Sequence, residues 1–284
     1  MRRFAKHVLK LLFTLFLGGL LAATLVRFAP GFGTDEAQLD IRLSNQSIEA
    51  LAHQPRESLG CFYLHYCERL LHGDLGNSRT LQRPVTELVS ERLPATLKFV
   101  GLGLLLAWTL GLGLASMTVM ARSAILDTVA GIFCGTLLCL PAAAMALLFI
   151  LTRAPARLVL GVVVLPKVYS YSRNLLLRSH SHPCVLTARA KGLGDMQVLF
   201  RHVLRPAAPQ LLAIAGVSAS LAFTAAIPVE ALCDLPGVGQ LAWKAAMGRD
   251  LYLLVTLSVL VTAVTLFANS ICELLGSMLS AREA

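Results

Sequence analysis

The sequence predicts an all-helical protein embedded in a membrane, with six transmembrane helices. Of its 284 residues, 56% are hydrophobic and only 14% are charged, and its mean hydropathy is +0.69. A soluble domain carries about 25% charged residues. The apolar residues also form long uninterrupted blocks instead of the periodic patterns of surface helices or strands, which indicates that lipid surrounds them.

Taking about 20 apolar residues as one membrane span, we predict spans at residues 8–29, 95–120, 127–151, 158–177, 209–229 and 251–279. Three prolines, Pro206, Pro209 and Pro228, bracket the fifth span, so an alternative prediction divides it into shorter helices. The first span is longer than the apolar core of a signal peptide and lacks a small-x-small cleavage pattern, so we expect it to stay uncleaved.

Basic residues beside the spans predict the orientation. Six crossings place the N-terminus and the segment between the fourth and fifth spans on the same side, and the positive-inside rule makes that side the cytoplasm. The basic residues of these two segments are Arg2, Arg3, Lys6 and Lys10, and Arg173, Arg178, Arg189, Lys191, Arg201 and Arg205. Both termini are therefore expected in the cytoplasm.

This orientation divides the chain into four regions. Residues 1–29 form the cytoplasmic N-terminus and first helix, and residues 30–93 form an external, periplasmic region. Residues 94–279 form a core of the second to sixth helices with a cytoplasmic loop at 178–208, and residues 280–284 form a cytoplasmic tail. In the external region, Phe62, Tyr63, Leu64, Tyr66, Leu70 and Leu71 are expected to form an ordered cap against the outer helix ends.

Catalytic, metal-binding and nucleotide-binding patterns are missing from the sequence. It contains no H-E-x-x-H, no G-x-S-x-G and no G-x-x-x-x-G-K-[ST]. The few ionisable residues of the spans are expected near span ends or interfaces: Arg27, Lys98, Asp127, Lys167 and Glu273. We therefore predict no enzyme, no cofactor and no metal. If the protein moves a solute uphill, the energy must come from a partner.

The cysteines and the net charge exclude two further classes. None of the seven cysteines forms a C-x-x-C pair, which disfavours a metal site. A disulfide between Cys61 and Cys67 is permitted outside the membrane, although two unpaired cysteines fit equally well. The net charge of +9 comes from basic residues at the ends of apolar blocks, so we predict no nucleic-acid binding.

The sequence of segment 185–206 predicts a compact knob on the protein surface. Gly192 and Gly194 permit a sharp turn with positive φ, and Asp195 can cap a second short helix. That helix would carry Leu199 and Val203 on one face and Arg201, His202 and Arg205 around the rest. The pattern fits a knob that another protein grips, or an ordinary positive-inside loop that only fixes topology.

The residue identities favour the first interpretation. The stretch Thr187-Ala-Arg-Ala-Lys-Gly-Leu193, followed by His202-x-x-Arg205 and Pro209, resembles the cytoplasmic EAA loop of binding-protein-dependent ABC permeases, especially the dipeptide, oligopeptide and nickel permease family. In that family the loop docks on the ATPase subunit. The resemblance implies that residues 186–206 couple this chain to an ATPase through Thr187, Ala188, Arg189, Ala190, Lys191, Gly192, Leu193, Gly194, Arg201, His202 and Arg205.

The same resemblance implies how some of these residues act. Ala188 is expected to pack against the ATPase, and Arg189 and Lys191 are expected to face acidic groups on it. Further motif residues outside the loop resemble the same family: Gly73, Asp74, Gly76, Glu230, Pro236, Gly237, Gly239, Arg249 and Asp250. The fold implied is that of a type I ABC importer permease in the bacterial inner membrane.

Three departures from the family pattern concern function. The acidic residue that opens the general EAA motif is missing near Leu186, and Cys233 and Leu235 stand where the family favours aromatic residues. The link between the third and fourth spans has only about seven residues, 152–158. This shortened link lies on the face expected to receive a substrate-binding protein, so the resemblance leaves that docking open.

The implied function is that of the transmembrane permease of an ATP-driven importer. Its implied partners are ABC ATPase subunits, a second permease that is identical or different, an external substrate-binding protein and the lipid bilayer. Peptides and a related small solute such as a nickel chelate are both candidate cargoes. The alternatives are a degenerate permease, or a membrane assembly or sensing component, and least of all an integral-membrane enzyme.

Overall fold

The computed structural model describes residues 2–28, 59–78, 80–121 and 123–280, and all regular elements in these ranges are helices. The α-helices are α1 (Arg2–Phe28), α2 (Leu59–Leu71), α3 (Val85–Ala121), α4 (Ala124–Cys139), α5 (Ala142–Leu151), α6 (Val159–His180), α7 (Pro183–Ala190), α8 (Asp195–Val198), α9 (Arg205–Leu232), α10 (Val238–Met247) and α11 (Leu251–Ser280). A 3-10 turn covers Ala156–Leu158, and a π-helical turn covers Leu199–Leu204 between α8 and α9. The all-helical prediction is confirmed for the described residues.

Proline affects two predicted spans in different ways. The third predicted span is divided into α4 and α5, whose axes differ by 97°, because Pro141 takes an extended conformation before α5. The fifth span stays in one helix although Pro209 and Pro228 lie inside α9, so the alternative of shorter pieces is wrong there. Neighbouring helices and altered turns compensate for missing N–H donors in such helices.

Three described helical stretches are long and apolar enough to cross a membrane: Val85–Ala121, Asp195–Leu232 and Leu251–Ser280. The bent pair α4 and α5 gives a fourth if it forms one span. The predicted spans at 8–29 and 158–177 coincide with α1 and α6, but the apolar part of α1 covers only Leu11–Leu25. Six crossings therefore stay a prediction.

The chain forms two compact units. Unit 1 consists of Met1–Glu91 and Ala242–Thr262, and unit 2 consists of Arg92–Leu241 and Ala263–Ala284. In unit 1, Tyr63 and Tyr66 of α2 are buried with Ala23, Val255 and Val259. The Tyr63 hydroxyl donates to the Phe16 carbonyl at 2.7 Å, and the Tyr66 hydroxyl donates to Thr256 Oγ1 at 3.2 Å.

Helix α2 bears on two predictions about the external region. Its tyrosines pack with Ala23 of α1 and with Val255 and Val259 of α11, and the Tyr63 hydroxyl reaches Phe16, twelve residues or about 18 Å before the end of α1. Helix α2 thus lies along the last turns of α1, and the ordered cap stays a prediction. Cys61 and Cys67 both lie in α2, and Cys67 is a free thiol. Six residues of helix separate the two Cα atoms by about 9 Å, beyond the reach of a disulfide. Residues 29–58, the larger part of the predicted cap, lie outside the described residues, as do the side chains of Phe62, Leu64 and Leu71.

Candidate functional site

The predicted coupling loop begins with α7. Pro183 occupies the first turn of α7, where its missing N–H removes no helical hydrogen bond. After Ala190, Gly192 takes a φ of +77°, which residues with a Cβ adopt only with strain. Gly194 has a φ of −64° and a ψ of 150°, which any residue can adopt. The prediction of positive φ is thus confirmed for Gly192 and wrong for Gly194.

The second half of the loop is the start of a long helix. Asp195 is the first residue of α8, and Gly194, which has no side chain to cap it, occupies the N-cap position. The helical path then continues through the π-helical turn into α9, so that one stretch runs over Asp195–Leu232. The expectation that Asp195 caps this helix is wrong, because Gly194 occupies the N-cap position. The expected separate short helix is also wrong, because Leu204 keeps a helical conformation at the start of α9.

One face of this loop is buried in unit 2. Val185, Ala188, Val198, Leu199 and Val203 are each at most 5% exposed. They belong to one apolar cluster with residues of α3, α4 and α6, namely Ala115, Val119, Ala130, Cys134, Tyr169 and Leu176. Burying each valine or leucine side chain contributes about 1.5–3 kcal/mol. The loop is therefore anchored to the helix ends of its own unit.

This burial confirms the predicted inner face of Leu199 and Val203 and corrects the expectation for Ala188. Ala188 is 3% exposed and packs inside its own chain. A small residue fits here because α7 lies directly against the cluster. The expectation placed it on the wrong face of α7.

Arg189 also forms contacts within its own chain. Its Nη2 lies 2.8 Å from His180 Nε2 at the end of α6 and 3.6 Å from Asp195 Oδ1 at the start of α8. Arg189 thereby ties α6, α7 and α8 together. Its side chain is 28% exposed, which disagrees with the expectation that its charge faces a partner.

The opposite face of the loop is exposed and partly apolar. Leu186 is 69% exposed, and Met196 and Phe200 are each 64% exposed. We call these three residues the outer apolar face. Sequence reasoning missed them, although the spacing of Met196 and Phe200 by four residues places them on one helical face. The other exposed residues predicted for the loop are Thr187, Ala190, Lys191, Gly192, Gly194, Arg201 and Arg205, whereas Leu193 and His202 are half-buried.

A cavity of about 450 Å³ opens between α7 and the π-helical turn. Its lining residues are Cys184, Thr187, Ala188, Lys191, Leu193, Arg201 and His202. Six of the eleven predicted loop residues thus line one cavity. Gly194 and Arg205 do not line it.

A second motif cluster surrounds Glu230, which is 1% exposed near the end of α9. Its Oε2 accepts a hydrogen bond from the Gly239 N–H at 2.7 Å. Thr96 Oγ1 of α3 accepts from the Val238 N–H at 2.8 Å. Both N–H groups belong to the first turn of α10, where helical N–H groups lack partners within the helix. Glu230 and Thr96 therefore hold the start of α10.

The two glycines of this cluster make room for the carboxylate. A Cβ on Gly237 would overlap the Glu230 carboxylate, and a Cβ on Gly239 would lie 2.6 Å from the Ile227 Cα. Pro236 beside them is exposed. The motif Pro236-Gly-Val-Gly239 thus fits a backbone that passes directly over a buried glutamate. Cys233 caps the end of α9 through its N–H to the Val229 carbonyl, at 2.9 Å.

Unit 1 brings together two motifs that are distant in the sequence. Asp250 is 1% exposed, and its Oδ2 accepts from Ser78 Oγ at 2.6 Å and from the Thr80 N–H at 3.2 Å. Its Oδ1 accepts from the Leu253 N–H at 3.2 Å, in the first turn of α11. Arg249 takes a φ of 52° beside it. Asp250 thus joins the turn after Gly76 to the start of α11.

The motif Gly73-Asp-Leu-Gly76 forms a tight turn in which both glycines have positive φ, at +77° and +76°. Asp74 accepts from the Gly76 N–H at 2.9 Å and pairs with Arg69 at 2.8 Å. The Gly76 N–H, followed by Arg69, holds the pKa of Asp74 below its ordinary value. These contacts fix the conformation of the turn.

An interhelical ion pair defines one end of unit 2. Arg173 near the end of α6 contacts both carboxylate oxygens of Asp127 near the start of α4. The start of α4 and the end of α6 therefore lie at the same end, which is also the end where the coupling loop packs. Asp127 is expected from the sequence to reach water at a span end, and nothing in the sequence indicates this partner.

Among the described residues, no group of three His, Cys, Asp or Glu side chains is arranged to hold a metal ion. The buried polar residues described above contact backbone N–H groups and hydroxyls of the chain itself. The loop differs, because one of its two faces exposes polar and apolar groups to the outside.

Comparison with known proteins gives a consistent result. The family model described as "Binding-protein-dependent transport system inner membrane component" matches residues 89–283. The chain is 30% identical over 275 residues to the oligopeptide transport system permease protein OppB of Salmonella typhimurium, with 88% of each chain covered. It is 23% identical over 296 residues to the nickel import system permease protein NikB of Staphylococcus aureus, covering 98% of this chain and 90% of that one.

The fold also has a solved counterpart. A structure of the MetNI methionine ABC transporter in an inward-facing conformation superposes with a TM-score of 0.62 at 16% sequence identity. The match covers 68% of this chain and 97% of the other. At this identity the similarity concerns the fold alone.

Proposed function

Because the chain belongs to the family of binding-protein-dependent transport system inner membrane components, we propose that it is the permease subunit of an ATP-driven importer whose ATP is hydrolysed by a separate subunit. Its proposed partners are two ABC ATPase subunits, a second permease and an external substrate-binding protein. The observation that carries the proposal is the coupling loop, whose inner face is anchored in unit 2 while its outer apolar face is exposed.

The proposed orientation places the coupling loop in the cytoplasm and the Glu230 cluster near the external surface. Support comes from α3, in which Thr96 contacts the Glu230 cluster and Val119 packs against the loop. These residues are 23 positions apart, or about 35 Å along the helix, which matches the thickness of a bilayer core. The proposal also includes six crossings, an external region at 30–93, a cytoplasmic loop at 178–208, and cytoplasmic ends at 1–29 and 280–284.

The proposed coupling is mechanical. Val185, Leu199 and Val203 lock the loop to the ends of α3, α4 and α6, so a movement imposed on its outer apolar face is transmitted to those helices. Transport by alternating access requires such a rigid connection between the ATP-driven movement and the spans. Thr187, Ala190 and Arg205 add exposed polar and small groups to the same surface.

Peptides are the proposed cargo, because three relatives of 27–30% identity carry names of oligopeptide permeases. A nickel chelate is the competing cargo, suggested by the nickel import permease. The two are separated by measuring which compound stimulates ATP hydrolysis by the assembled importer in the presence of the external binding protein.

The proposal is tested by reconstituting the chain in nanodiscs with its ATPase, sister permease and binding protein. Leu186→Asp should leave the melting temperature unchanged and reduce ATPase binding, because a charge in an apolar contact must be desolvated without a partner. Reporter fusions at Ser44 and His182 should report opposite sides of the membrane. A complex in which Leu186→Asp binds and stimulates the ATPase like the wild type would contradict the coupling role.

A degenerate permease or an assembly component without transport is the second candidate. The short link between α5 and α6 favours it, since only residues 152–158, with the 3-10 turn Ala156–Leu158, connect the two helices. This candidate predicts ATPase binding without uptake of any cargo. Uptake of radiolabelled peptide into proteoliposomes that contain the complete complex would exclude it.

A further inference from the structure

The cavity beside α7 has the chemistry of a receptor for a negatively charged group. Lys191 and Arg201 line it, and neither has an Asp or Glu oxygen within 4 Å among the residues that the structure describes. The neighbouring cation, Arg189, is already paired with Asp195 at 3.6 Å. The cavity therefore holds two positive charges that the described chain leaves uncompensated.

A buried imidazole nitrogen adds a third group to the same cavity. His202 lines the cavity, and its Nδ1 is buried with no hydrogen-bond partner in the described structure. Buried polar atoms nearly always have a partner, so this nitrogen marks the imidazole as a polar group that the described chain leaves unsatisfied. Lys191 and Arg201 are the two cationic donors of the cavity, and His202 is a third polar residue in its lining.

The surroundings indicate that the ligand arrives on a protein surface. Leu186 precedes the cavity residue Thr187, and Phe200 precedes Arg201, and both are more than 60% exposed. Covering them removes apolar surface from water and also desolvates the cations, which strengthens their attraction for an anion. A small anion from solution would cover neither side chain.

We propose that this cavity receives the carboxylate of an aspartate or glutamate of the ATPase subunit, with the outer apolar face surrounding the contact. The proposal rests on the proposed function and adds the chemistry of the docking contact. Lys191 and Arg201 act as specificity residues: they select a partner that presents an acidic side chain at this point, and they accelerate its association. Arg189 has no part in the contact, because Asp195 and His180 hold it.

The experiment measures the dissociation constant of the ATPase for the nanodisc-embedded permease complex at three salt concentrations. Lys191→Met with Arg201→Met should weaken binding by about 10- to 100-fold and flatten its salt dependence. A control with the same loss of charge, Lys98→Met with Arg157→Met, removes two exposed cations that do not line the cavity and should change binding by less than about twofold. Melting temperatures show whether each variant is folded.

The partner carboxylate is then identified by charge exchange. Lys191→Glu with Arg201→Glu should abolish binding, and one Asp→Lys or Glu→Lys substitution on the ATPase should restore it. If no substitution restores binding, no carboxylate of the ATPase occupies the cavity and the inference fails.

The remaining outcomes separate this inference from the proposed function. If the Met pair binds like the wild type while Phe200→Asp loses binding, docking on the loop stands and the carboxylate site is wrong. If the Met pair weakens binding only in nanodiscs that contain phosphatidylglycerol, the cavity holds a lipid phosphate and the inference is overturned. If the wild-type chain binds no ATPase, the proposed function itself fails.

Discussion

The two ends of unit 2 carry motifs of the same appearance, glycine-containing turns beside helix starts, but they use their polar groups in opposite ways. At one end, Glu230 and Thr96 are buried and hold backbone N–H groups of α10. At the other end, Lys191 and Arg201 line an open cavity and Phe200 is exposed. At the first end, Glu230 and Thr96 are occupied by contacts within the chain, whereas the second end presents unpaired charge and apolar surface.

Resemblance to a family motif therefore does not by itself separate residues that bind a partner from residues that hold the chain's own backbone. Glu230, Gly237 and Gly239 were selected from the sequence on the same grounds as Lys191 and Arg201. Burial and hydrogen bonding divide them: the first three fix a backbone path, and the last two face outward. Substitutions at the two ends should therefore fail in different assays.

The largest effect is expected from Gly237→Ala at the Glu230 end. The added Cβ would overlap the Glu230 carboxylate, which would have to leave its N–H donor while still buried. We expect a loss of about 3–5 kcal/mol of stability, measured by thermal unfolding in detergent. Gly113→Ala is the matched control, because its Cβ would meet nothing within 4 Å. Equal melting temperatures for both variants would show that the carboxylate does not occupy this position.

Ala188→Asp is expected to have the next largest effect, at the loop end. Ala188 is 3% exposed, so a carboxylate there would be buried without a partner and should destabilise the loop by about 3 kcal/mol. Hydrogen exchange should become faster over residues 183–205. Ala190→Asp, two residues later on the exposed side of α7, should leave exchange unchanged. Faster exchange in both variants, or in neither, would contradict the assignment of an inner and an outer face.

Gly192→Ala should have a smaller effect. At a φ of +77° an alanine is strained by about 1–2 kcal/mol, although no atom lies within 4 Å of its Cβ. Gly194→Ala should be tolerated, because that residue has a φ of −64° and its Cβ is equally unobstructed. Comparing the unfolding free energies of the two variants tests the turn geometry. A greater loss of stability for Gly194→Ala than for Gly192→Ala would contradict the assignment of the positive φ to Gly192.

The helical class and most helix positions follow from the sequence, because long apolar blocks leave few other structures in lipid. The break between α4 and α5 was not predicted, although Pro141 marks it. The contacts of Arg173 with Asp127 and of Asp250 with Ser78 could not be predicted, since they join residues distant in the chain. The loop face was assigned wrongly at Ala188 because helix period alone does not tell which side meets its own chain.

Phe200→Asp tests whether the outer apolar face of the coupling loop docks an ATPase. Phe200 is 64% exposed, so the substitution should leave the melting temperature unchanged. The dissociation constant for the ATPase, measured with the nanodisc-embedded permease complex, should rise at least about tenfold, which corresponds to about 1.4 kcal/mol. An unchanged dissociation constant in a folded Phe200→Asp protein would contradict the claim.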